Sequence, residues 1–150
     1  MRIRRFKEKD SIKASNIIKK GFQLSSSNYS EESIKEQIEE NSPKKLIEKS
    51  KKINYFVATE KDKILGIGGY DRKKVYTLFV DPKYHRKGIG KKIIERVLSE
   101  AKMVGIKTLD TWSTFHAEKF YSSIGFKRIK KFTLKCKYSS IKFVLMRKKL

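Results

Sequence analysis

A chain of 150 residues is long enough for one domain with a single substantial core. Hydrophobic residues at 38% and aromatics at 11% exclude a disordered protein, and 36% charged residues demand a densely ionic surface. The formal charge of +22 suits anionic partners, or else reflects a surface solvated by lysine. Lysine far outnumbers arginine, which favours the second reading, since specific phosphate and nucleic-acid sites draw on arginine forks.

The basic segment from Met1 to Phe6 lacks the apolar run of a signal peptide, and no stretch approaches the roughly 20 apolar residues that cross a bilayer. The single cysteine, Cys136, excludes an internal disulfide and a cysteine metal cage. His85 and His116 stand alone, without ligand spacing to another histidine or cysteine, so no metal site is expected. These features point to the cytoplasm, with no membrane partner.

In chain order, Arg2 to Phe6 reads as a short strand. Asp10 is expected to cap a helix to about Gln23, with Ala14, Ile17, Ile18, Gly21 and Phe22 on one face. A polar loop over Ser25 to Asn28 leads to a helix beginning near Ser30, where Glu31 and Glu32 suit the positive end. Pro43 after Ser42 opens a further short helical piece. Ile53 to Glu60 and Ile64 to Tyr70 read as a hairpin across Lys61-Asp62-Lys63.

Val75 to Val80 is almost continuously apolar, as in a central strand buried on both faces. A glycine-containing loop after Asp81-Pro82 enters a long helix carrying Ile89, Ile93, Val97 and Ala101, which Gly105 ends. Thr108 to Trp112 is a strand, Ala117 to Ile124 a short helix closed by Gly125, and Phe126 to Leu134 with Ile141 to Met146 a hairpin. The order β-α-α-β-β-β-α-β-α-β-β describes an α/β fold, a mixed β-sheet flanked by helices, as one domain over 1–150.

The segment from Val80 to Lys92 joins the most buried strand to the longest helix. A helix start has unsatisfied N–H groups and partial positive charge, and glycines there let a pyrophosphate approach the backbone. Five Lys/Arg between 83 and 92 strengthen the field. The glycine spacing is neither a Walker loop, which needs four residues between its glycines, nor a Rossmann fingerprint, where Ile93 replaces the third glycine.

Here the chain resembles the GNAT superfamily, whose acyl-CoA signature reads Arg/Gln-x-x-Gly-x-Gly/Ala after a strand ending in Val-x-Pro. The resemblance implies a pyrophosphate cradle of Arg86, Lys87, Gly88, Ile89, Gly90 and Lys91, with backbone groups of Leu78, Phe79 and Val80 on the pantetheine arm. His85 stands where Arg or Gln is usual. Ser113 to Phe126 is similar to the second GNAT signature, Asn-x-x-Ala-x-x-Phe-Tyr-x-x-x-Gly-Phe, with Thr114 in place of asparagine as cap and cofactor contact. The implied activity is N-acetyl transfer from acetyl-CoA to a primary amine of a small molecule or protein, by direct attack in a ternary complex. Homodimers are common in the resembled family.

Acyl transfer to an amine needs a neutral nucleophile and a proton for the departing thiolate. The resemblance gives that proton to Tyr121. Asp71, Asp110 and His116 lie near the expected site walls, but none is assigned as base. Glu31, Glu32, Glu36, Glu39 and Glu40 concentrate acid in one helix, which suits a cationic amine acceptor or a solvated face. Two rival readings stand beside the enzyme. One is a non-catalytic acyl-CoA sensor. The other is a basic nucleic-acid-binding module using Trp112 and Tyr138 for stacking, with nonspecific affinity from ten Lys/Arg and no acid after Phe126.

Overall fold

The computed structural model describes residues 1–25 and 29–150, so of the expected loop at Ser25–Asn28 only Ser25 lies within the described residues. The strands are β1 (Arg2–Arg5), β2 (Asn54–Glu60), β3 (Lys63–Tyr70), β4 (Lys74–Val80), β5 (Thr108–Ser113), β6 (Lys127–Lys135) and β7 (Ser140–Lys149). They form one sheet in the order β1-β2-β3-β4-β5-β7-β6, antiparallel except for β4 and β5. The helices are α1 (Ser11–Leu24), α2 (Glu31–Glu40), α3 (Pro43–Lys49), α4 (Ile89–Met103) and α5 (Glu118–Ser123). The short piece at Pro43 is thus a helix in its own right, one more than the expected order counts.

Two cores lie on opposite faces of the sheet. α1 and α3 bury Ala14, Ile18 and Leu46 against Tyr55, Val57 and Ile67. α4 and α5 bury Ile94, Val97 and Tyr121 against Phe56, Val75 and Leu109. Alternate residues of β2 therefore go to different cores, which explains its unbroken apolar run. The β3 glycines let α4 sit directly on the backbone: a Cβ on Gly68 would come within 2.8 Å of Ile93 Cγ2 and 2.9 Å of Leu78 Cδ1.

Ser30 and Ser42 cap α2 and α3 as expected, accepting from Ser33 N and Lys45 N. Asp10 behaves differently. Its side chain does not cap α1; it takes two hydrogen bonds from the Arg4 guanidinium, at 2.8 and 2.9 Å, and one from Lys7 N–H at 2.8 Å. The reason is that a single 3-10 turn, Glu8–Asp10, carries Asp10 into the helix, where it staples β1 to α1. β4 also departs from expectation. It is only half-buried beyond Val75, because one side of it opens onto a cleft.

Asp10 is 3% exposed. Burial would raise its carboxyl, but the Arg4 and Lys7 hydrogen bonds outweigh that and hold it below the usual range. A depressed folded-state pKa contributes stability above the unfolded value of about 3.9, lost as pH falls through the folded value. Asp10→Asn should cost about 2 kcal/mol at pH 7 in urea denaturation, by leaving Arg4 unpaired. The gap to wild type should shrink below about pH 4.

Candidate active site

The cleft opens where β4 and β5 part. Only two residue pairs join these strands, Lys74 with Asp110 and Val75 with Thr111. Beyond them β4 carries a bulge: two of its residues, Thr77 and Leu78, span the step that Gly68 alone spans on β3. Thr77 has φ 56°, a left-handed conformation that a β-branched residue adopts only under constraint from its surroundings. The bulge bends β4 away from β5 and re-aims its side chains, so that Phe79 packs against α1 and Leu78 against α4.

Phe79 pairs with Ile67, two residues from the bond that Asp81 N–H makes to Leu65 O at 2.8 Å. By the alternation of an antiparallel ladder, Phe79 turns its backbone groups to β3, while those of its neighbours Leu78 and Val80 face the open side. His85 closes on this edge, with Nε2 2.9 Å from Val80 O. A carbonyl only accepts, so Nε2 carries the proton.

The loop entering α4 turns through two left-handed residues, Arg86 (φ 64°) and Gly88 (φ 76°). Nothing lies within 4 Å of where a Gly88 Cβ would be. The first bond of α4 runs from Lys92 N–H to Gly88 O, at 3.1 Å. The N–H groups of Ile89, Gly90 and Lys91 precede it and lack partners within the helix, so they form an anion-binding concavity. A Cβ at Gly90 would make ordinary contact with Val80 and Phe120, at 3.5 and 3.6 Å.

From this mouth the cleft extends over about 870 Å³. Leu78, Phe79, Val80, His85, Arg86, Gly88, Ile89, Gly90, Lys91, Thr114 and Tyr121 all line it. Lys87 does not; its amine lies 5.7 Å from the centre of the Tyr84 ring. Thr114 Oγ1 accepts from Ala117 N–H at 3.2 Å and so caps the turn that leads into α5.

α5 then places Tyr121 between Phe120 and Phe126, each 5.4 Å away edge-on. Burial pushes its hydroxyl up to about 12, and hydrogen bonding with Thr111 offsets only part of that rise. Thr111 belongs to the last residue pair before the strands part, so the Tyr121 hydroxyl sits at the inner end of the opening.

Of the three base candidates only His116 lines the cleft. Burial would raise Asp71, but N–H bonds from Lys74 and Lys73 and the Tyr76 hydroxyl hold it low. Asp110 is held by two hydrogen bonds from Arg147, at 2.7 and 3.1 Å. Cys136 also lines the cleft; burial and the nearby Glu36 push its thiol up, away from a nucleophilic thiolate. Among the described residues no group of three or more His, Cys, Asp or Glu is placed to hold a metal ion.

The cleft is also lined by α2, α3 and the turn between β6 and β7, which make up its second half. Glu36, Glu39 and Glu40 line it, whereas Glu31 and Glu32 do not. Three residues here carry no clear signal in the sequence: Lys49, Lys74 and Tyr76. A lysine at the first position of a strand reads as a solvated end, and only the folded sheet turns Lys74 inward. Trp112 lines this half, 5.3 Å from Phe132 and 6.2 Å from Phe143, and is still 39% exposed.

Residues 18–150 match the family described as the acetyltransferase (GNAT) domain. No curated protein matches the chain in sequence. Among solved structures, a GCN5-related N-acetyltransferase from Rhodopseudomonas palustris superposes with a TM-score of 0.92 at 19% identity, covering 99% of this chain and 95% of that one. PaiA N-acetyltransferase from Thermoplasma acidophilum, in complex with coenzyme A, gives 0.82 at 22% identity, with 99% and 98% covered. Ribosomal-protein-S18-alanine N-acetyltransferase from Escherichia coli gives 0.65 at 19%, with 99% and 92% covered.

Burial brings the Lys74 ammonium down to about 8; Asp71 opposes the shift and Lys49 adds to it. Between about pH 8 and the unfolded value near 10.4 the unfolded chain binds the extra proton, so stability should rise with pH over that window. NMR of ¹³Cε-labelled lysine should show one resonance titrating near 8, absent in Lys74→Met. A Lys74 midpoint near 10 would contradict this environment.

Proposed function

The chain belongs to the GNAT acetyltransferase family, and from that premise we propose that residues 1–150 act as one domain transferring the acetyl group of acetyl-CoA to a primary amine. The observation that carries this reading is the run of unpartnered N–H groups at the start of α4, opening into a cleft that leads to the Tyr121 hydroxyl. The fit to a CoA-like ligand is direct. The concavity takes the pyrophosphate through the amides from Gly88 to Lys91, with Arg86 and Lys91 adding positive charge. The open edge of β4, at Leu78 and at the Val80 N–H, offers donors and an acceptor to the amides of the pantetheine arm.

When bound, acetyl-CoA supplies an acyl group already activated as a thioester. The protein does the rest by position. The acyl group would lie where the strands part, in a cleft whose lining there includes Phe120 and Leu78. Tyr121, with a pKa near 12, keeps its proton at neutral pH and holds it at Oη for the departing sulfur. The amine enters from the second half of the cleft and attacks directly, since the raised Cys136 thiol is not suited to carry the acyl group. A relative acting on the alanine of ribosomal protein S18 and another named for PaiA support an amine acceptor as the substrate class.

Acetyl-CoA at about 100 times its dissociation constant should stabilise the protein by about 2.7 kcal/mol, a melting shift of several degrees. Gly88→Glu should lose that shift while remaining folded. Tyr121→Phe should keep it and lose about 10²-fold in kcat with any accepted amine. Full turnover in Tyr121→Phe would remove this tyrosine from the chemistry.

A further inference from the structure

The second half of the cleft holds a cation that the protein does not satisfy. Lys74 Nζ lies 3.0 Å from the centre of the Trp112 ring and 4.6 Å from that of Tyr76. Among the described residues it donates no hydrogen bond and makes no ion pair. Asp71 attracts it from nearby, but that carboxylate is spent on the Lys73 and Lys74 N–H groups and on the Tyr76 hydroxyl. Lys49 lines the same half, donates to the Glu40 carbonyl at 2.6 Å, and repels Lys74.

Aromatic faces attract an ammonium by about 0.5–2 kcal/mol, yet they fill none of its three directional donors. A half-buried ammonium with its donors free is matched when a ligand brings the acceptors. Elsewhere the lining of the cleft carries the reverse charge. Glu36, whose Oε1 accepts from Tyr138 N–H at 2.9 Å, and Glu39 line the same cleft from α2. The lining of one cleft thus carries charges of both signs, as a zwitterion requires. No arginine lines this half among the described residues, so an anion here meets ammonium point charges, and a singly charged carboxylate matches the one unpartnered ammonium of Lys74.

We propose that Lys74, with Lys49 behind it, is a carboxylate subsite, and that the amine acetylated here belongs to an amino-acid-like zwitterion. The carboxylate seats on Lys74 Nζ and the amine turns toward the parting of β4 and β5. This rests on the acetyltransferase reading above and narrows its acceptor class.

The test compares amines that differ only in the carboxylate: L-alanine with ethylamine, L-lysine with cadaverine, and L-phenylalanine with phenethylamine. Melting curves are recorded with saturating CoA, so that binding is read without turnover. At least one acid should raise the melting temperature by 2 °C or more over its decarboxylated partner. Lys74→Gln should abolish that difference, Lys49→Gln should reduce it, and Lys61→Gln on the β2–β3 turn should leave it intact. If Lys74→Gln does not fold, the Lys49→Gln and Lys61→Gln pair decides. Equal shifts within every pair, or a difference that survives these cleft substitutions, overturns the subsite. The acetyltransferase reading is judged separately, by the shift that acetyl-CoA alone produces in the same preparations.

Discussion

The site depends on one break in backbone pairing. β4 and β5 are held together at Lys74–Asp110 and Val75–Thr111 and then separate, because the bulge at Thr77 bends β4. A sheet that continued to pair would have spent the outer N–H and C=O groups of β4 on β5, and no cleft would exist. The cost is a β-branched residue in a left-handed conformation, and the two cores on either face hold it there.

The same break divides the cleft electrostatically. One half, at the start of α4, is built from backbone amides and a left-handed turn, and it suits phosphate oxygens without needing any particular side chain. This explains how His85 can stand where arginine or glutamine is usual: its ring is used to close onto Val80 O, and the anion-binding amides lie beyond it. The other half is built from side chains, with glutamates of α2 and lysines of α3 and β4 in one lining. On the proposed reading, donor binding would follow from the fold and acceptor choice from a few side chains.

The strands and helices were readable because each carries a period or a punctuation mark that local physics enforces. The hairpin at Lys61-Asp62, the serine caps of α2 and α3, and the glycines at 88, 105 and 125 are all of this kind. Asp10 was misread for an equally local reason, since a capping residue and a residue that staples a strand look alike until Arg4 is seen beside it. The continuous apolar run of β4 read as full burial, whereas part of that surface lines the cleft.

By itself, then, the sequence determined the α/β order apart from α3 as a separate helix, the glycine-bearing start of α4 and the register of Tyr121 with Phe126, because these rest on contacts between near neighbours in the chain. Only the tertiary structure decided that β7 inserts between β5 and β6, that the bulge opens β4, and that Lys49, Lys74 and Trp112 converge on one space. Those features join residues tens of positions apart. Their side chains carry no periodic signal, since a cleft wall is assembled from the ends of several elements at once.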